Sequence, residues 1–133
     1  MGISAISSGL SAIQAAMAQM EASASNIANV TTSGTVPGST GGSGSSVYQP
    51  ISVQQYDTGG GVGYSFSRDA SAYFQSYDPT SPSADAAGMV AIPAVDLASQ
   101  LVSVDEARLQ FTAATKVVRA AADLQKTAID MTA

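Results

Sequence analysis

The sequence predicts a mainly α fold in which long N- and C-terminal helices pair as a coiled-coil-like hairpin, with a Gly/Ser-rich loop and a small β-hairpin region between them. Three observations carry this expectation. Apolar residues recur at helical spacing over both ends. All five Tyr and two of the three Phe are confined to the stretch from Tyr48 to Tyr77. Gly, Ser and Thr dominate the connection that follows the first helical stretch. A chain of 133 residues with 45% hydrophobic composition fits one structural domain. Within it we delimit an N-terminal assembly helix over 1–30, a flexible loop and small β-rich middle segment over 31–92, and a C-terminal assembly helix over 93–133.

At the N-terminal end, Ile3, Ile6, Leu10, Ile13, Met17, Met20, Ala24 and Ile27 recur with alternating spacings of three and four. A period of 3.5 rather than 3.6 keeps an apolar seam on a partner helix when both supercoil. Asn29 followed by Thr31, Thr32, Ser33 and Gly34 supplies the stop.

The middle opens with Gly34 to Ser46, which has the composition of a flexible loop. Val47 to Tyr56 and Gly63 to Phe66 read as two strands joined by a Gly59-Gly60-Gly61 turn. From Tyr77-Asp78-Pro79 through Pro82 and Gly88 the residues read as turns leading into the last helix.

That helix is expected to start after Pro93 with Asp96 as N-cap and to run to about Met131, since Asp accepts free backbone N–H bonds. Ser103 to Glu106 also has capping-box spacing, so a later start or a break there stays open. Leu97, Val104, Phe111 and Val118 form one apolar line with Ala107, Ala114 and Ala121, while Leu101 lies in the first turns. Leu109, Val117, Leu124 and Met131 form a second line. The remaining strip of Asp105, Arg108, Thr112, Lys116, Arg119, Asp123, Lys126 and Asp130 is polar, with Arg119/Asp123 and Lys126/Asp130 at four-residue spacing. Such pairs contribute about 0.3–0.5 kcal/mol each, against about 1.5–3 kcal/mol for burying a Leu or Phe side chain, so burial decides where the helix goes. The N-terminal helix can cover only one of the two lines, and the other calls for the middle segment or for further copies of the chain.

Charge and composition narrow the functional classes. Net charge is −5 and no Lys or Arg precedes Arg68, so no cationic surface is offered to nucleic acid. Cys and His are both absent, which removes thiolate chemistry, the commonest general base and the commonest metal ligand. We therefore expect no cofactor, no metal site and no enzyme. A catalytic alternative would have to rest on carboxylates such as Asp57, Asp69, Asp78 and Asp85. Gly59 to Gly63 lacks the Lys and Ser/Thr of a phosphate-binding loop, and Asn29-Val30-Thr31 matches a glycosylation sequon by a pattern too short to carry weight. No apolar run is long enough to span a membrane directly, and the first 20 residues carry neither a cationic start nor a continuous apolar run of a secretory signal.

Ser25-Asn26-Ile27-Ala28-Asn29, ending a heptad helix, resembles the S-N-I-A-N motif of the flagellar axial proteins that build rod and hook. Tyr77-Asp78-Pro79 followed by Pro82, Ala84-Asp85-Ala86, Gly88 and Val90, then Pro93 and Val95-Asp96-Leu97, is similar to the segment before the last helix in proximal members of the flagellar basal-body rod family. The chain departs from that family in Val30-Thr31-Thr32-Ser33-Gly34 after the first motif, and in Ala107 to Ala114, an approximate counterpart of the family's last helix. The resemblance implies a rod subunit, with a free homopolymeric extracellular filament as the alternative. It also implies export without a cleaved signal peptide through the flagellar type III apparatus, and terminal helices that pack on copies of the chain and on other rod or axial proteins around a central channel. The expected assembly residues are Ile3, Ile6, Leu10, Ile13, Met17, Met20, Ile27, Leu97, Leu101, Val104, Phe111, Val118 and Leu124.

Overall fold

The computed structural model describes residues 2–131, and side-chain environments from residue 4 onward. Helix α1 spans Gly2–Asn29 and helix α2 spans Leu97–Asp130. Between them lie strands β1 (Ile51–Asp57), β2 (Val62–Arg68), β3 (Tyr73–Tyr77) and β4 (Met89–Pro93). The strands form two separate two-stranded antiparallel sheets, β1-β2 and β3-β4.

This corrects the mainly α expectation. With 47% helix and 21% strand the chain is a mixed α and β structure with two sheets rather than one small hairpin region. The missed sheet pairs Tyr73 with Pro93 through Tyr77 with Met89, so Tyr77 and Pro93 are strand residues, not parts of a turn and a helix lead-in. Sequence reading followed the turn chemistry of Asp78-Pro79 and overlooked the short apolar run Met-Val-Ala-Ile-Pro behind it.

Local chemistry explains the element ends. Asn29 Nδ2 donates to the Ser25 carbonyl at 2.8 Å and Thr32 Oγ1 to the Asn29 carbonyl at 2.7 Å, satisfying carbonyls that the end of α1 leaves free. Asp96 caps α2 as expected, its Oδ1 accepting from the Ala98 N–H at 3.1 Å and its other oxygen from the Ser99 hydroxyl. No break occurs at Ser103–Glu106, and α2 continues for 34 residues.

The chain divides into two compact units. One comprises α1 up to Ala22, Val53–Phe66 and α2 from Val102 onward; the other comprises Ser23–Ser52 and Ser67–Leu101. In the first, α1 and α2 meet at Gly9, where a Cβ would come within 2.5 Å of the Val118 side chain. Ala15, Ala16, Ala18 and Ala22 on α1, and Ala107, Ala114 and Ala121 on α2, are buried. The β1-β2 turn also lies on α1: Ser8 Oγ donates to the Gly60 carbonyl at 2.6 Å and the Val62 N–H donates to Ser11 Oγ at 3.0 Å. Gly59, with φ +79°, turns the chain, and Gly61 leaves room for Ser11.

In the second unit a small core of Val36, Val47 and Ala91 is flanked by Tyr73 and Met89. Gly34 exchanges both backbone hydrogen bonds with Ala91 at 2.9 Å, so part of the stretch expected to be a loop is tied to β4.

Candidate functional site: two outward apolar faces and an asparagine joint

Large aliphatic residues of both helices are exposed on faces away from the Gly9–Val118 contact. On α1 the buried residues Ala15, Ala18, Ala22 and Asn26 occupy the opposite side of the helix from Leu10, Met17 and Ala24. Leu10 and Met17 are each 53% exposed. Ile6, Ile13, Met20 and Ile27 are half-buried along the edge of the stripe, and the Ile3 side chain lies outside the described residues. That small-residue face is shared with Ser8 and Ser11, which hold the β1-β2 turn, whereas Gly9, the α1 residue at the contact with α2, lies one turn from the half-buried stripe residues Ile6 and Ile13.

On α2 the three Ala of the seam repeat every seven residues, and Val104 and Val118 beside them are half-buried. Leu97, Leu101, Phe111 and Leu124 are exposed. Along the second apolar line Leu109, Val117, Leu124 and Met131 are all exposed, Leu109 at 71% and Leu124 at 72%, and so is Val102 in the turns before it. The polar strip carries a single ion pair among the described residues, Arg108 to Asp105 at 3.7 Å, and the four-residue pairs Arg119/Asp123 and Lys126/Asp130 are not closed.

The first motif proves to be a joint. Asn26 is 3% exposed, and its side chain binds three residues of the second unit, Tyr48, Ile51 and Gln100. Its Oδ1 accepts from the Ile51 N–H at 2.8 Å and the Tyr48 hydroxyl at 3.0 Å. Its Nδ2 donates to the Ile51 carbonyl at 2.8 Å and to Gln100 Oε1 at 3.0 Å. Ser25 Oγ completes the cluster on the Tyr48 hydroxyl at 2.8 Å. Ile27 is half-buried and Ala28 exposed, so the motif's polar members carry its contacts. Tyr48, Ile51 and Gln100 were missed because no local spacing relates them to Asn26.

The second motif builds the connection from β3 to β4. Asp78 Oδ1 accepts from the Thr80 N–H at 3.1 Å and the Thr80 hydroxyl at 2.7 Å. The Asp78 N–H donates to the Gly88 carbonyl at 2.9 Å. Gly88 has φ +75°, and a Cβ there would meet the Tyr77 ring at 2.9 Å and Pro79 at 3.1 Å, so only glycine fits. The other loop carboxylates serve their own turns: Asp57 accepts from Gly59, Asp69 from Ser71, and Asp85 from Ala87 and Met89. Hydroxyl donors hold Asp69, Asp78 and Asp96 below the usual carboxylate value, Ser71, Thr80 and Ser99 respectively being the main cause.

Among the described residues no group of three or more acidic side chains is placed to hold a metal ion, and no helix is long and apolar enough to cross a membrane. The first unit carries an open groove lined by Gln14, Met17, Ala18, Glu21, Tyr64 and Phe66. Tyr64 and Phe66 meet edge to face there, with ring centroids 5.9 Å apart. No protein-family model and no curated protein matches the chain.

Proposed function

We propose that this chain is a structural subunit of the bacterial flagellar basal-body rod, polymerising through α1 and α2 with copies of itself and with other axial proteins into a tube. The observation that carries the reading is the outward placement of large aliphatic residues on both helices. Within the chain α1 and α2 meet at Gly9 and Val118, and Leu10, Met17, Leu109, Val117 and Leu124, all exposed, are left for other chains. The Ser25–Asn29 motif, its resemblance to the axial proteins, and the exposed aliphatic faces point the same way.

The mechanism is mechanical. Helix α2, at 34 residues, is about 50 Å long, and paired helices of that length packed along a tube resist bending and twist under torque. The exposed polar strip of α2 can remain hydrated while the apolar line beside it is covered. Chemistry in this reading belongs to no residue of the chain; the type III export apparatus is a partner only for delivery.

The test is deletion of the gene in its source organism followed by electron cryotomography of the envelope. Loss of the rod and of everything beyond it, with the membrane-embedded base retained, is the expected result. An intact basal body with a different fibre missing would replace the rod by a free filament, and an unchanged envelope would overturn the structural role.

A further inference from the structure

The groove of the first unit joins two features that rarely lie idle together. Met17, Tyr64 and Phe66 give it an exposed apolar floor, 53%, 39% and 48% exposed respectively. Glu21 at its edge is the one charged residue of α1 and has no ion-pair partner among the described residues. An exposed carboxylate beside an edge-to-face aromatic pair suits an ammonium or guanidinium on an apolar stem, drawn to the charge and to the ring faces alike.

Four of the chain's five cationic residues are on α2. Lys116 is the one that borders the exposed apolar line, one turn from Ala113 and Ala120 and two turns from Leu109 on the same side of the helix. It is exposed and, among the described residues, has no ion-pair partner. Lys116 is thus at the edge of the polar strip, and Arg119 and Lys126 lie deeper in it, farther from that line.

We infer that the groove of Met17, Glu21, Tyr64 and Phe66 receives α2 of a second copy of this chain, with Lys116 against Glu21 and the ring pair and Leu109 on Met17. The inference rests on the polymerising reading above and adds its register. The two surfaces differ, so a copy can offer its groove to one neighbour and its α2 to another, the head-to-tail arrangement that the polymerising reading requires.

Sedimentation velocity over a concentration series on the full chain tests the contact, using the wild type, Glu21→Lys, Lys116→Glu and the double variant. Each single variant places like charges in the groove and should weaken association about tenfold or more. The double variant restores opposite charges and should regain it, which also shows that neither single variant failed merely by misfolding. Equal association of all four would overturn this contact and leave assembly through other faces standing. A wild type monomeric throughout the series would overturn both, and a double variant no better than the singles would overturn the pairing of Glu21 with Lys116.

Discussion

Asn26 uses both amide protons and both acceptor positions of its side chain on Tyr48, Ile51 and Gln100. Truncation would leave the polar groups of β1 and α2 that face it without partners in a site closed to water. Asn26→Ala should therefore cost about 2–3 kcal/mol, measured by urea unfolding under monomeric conditions. Ser23 is the converse case. Its hydroxyl is buried at 1% exposure and has no hydrogen-bond partner, so Ser23→Ala removes an unsatisfied group from a helix and should raise stability by about 1 kcal/mol in the same assay. The carboxylates set the acid limit. Asp69, Asp78 and Asp96 bind protons less readily in the folded chain than at their ordinary value of 3.8, so the unfolded chain takes up more protons as the pH falls. Their stabilisation is complete above that value and is lost as pH drops through the lower folded values. With no His to titrate, unfolding free energy should be flat from about pH 5 to 8 and fall below about pH 4. Asp78→Asn should lessen that acid slope.

The helices separate what the sequence discloses from what it conceals. Asn29 as a stop, Asp96 as a cap and the triple glycine as a hairpin turn were legible because each acts on residues a few places away. The facing of α1 was not. Periodicity locates an apolar stripe but does not say whether it meets the chain's own partner helix or another molecule, and Ala is too weakly apolar to advertise the face of Ala15, Ala18 and Ala22 that α1 buries. The sheet β3-β4 was hidden for a related reason: its strands are five residues each, Phe74 and Tyr77 are exposed, and a strong turn signal lies between them. Tyr48, Ile51 and Gln100 around Asn26 belong to the same class of long-range fact. The two faces of α2 can be told apart by substitution. Ala114→Leu forces a branched side chain into a seam where Gly9 already has no space and should cost about 1–3 kcal/mol of monomer stability. Leu124→Asp, on a site 72% exposed, should change monomer stability by no more than about 0.5 kcal/mol while abolishing self-association, as sedimentation would register.

At the scale of the whole molecule, area argues for company. A folded monomer of 13.3 kDa is expected to expose about 6,500 Å², and this chain exposes 8297 Å². On the polymerising reading proposed above, that surplus of about 1,800 Å² is surface that neighbours would cover, roughly twice the 800 Å² that one partner contributes to a standard interface. Among the described residues Val90 and Ser23 are the largest side chains fully withdrawn from water, so burial among them is slight. Nowhere is this plainer than from Ala122 to Met131, where every residue is exposed. A helix of that length is marginal in water without tertiary contacts, because the ordering of its backbone is not offset by burial. In a dilute monomer the amides of this segment should exchange with deuterium far faster than those around Ala107 and Ala114, and should become protected once the protein is concentrated enough to associate. The melting temperature should rise with concentration over the same range, since assembly binds only the folded form. Fast exchange that persists in the assembled state would mean that the end of α2 is not part of the contact, and the second apolar line would then have to be covered nearer Leu109.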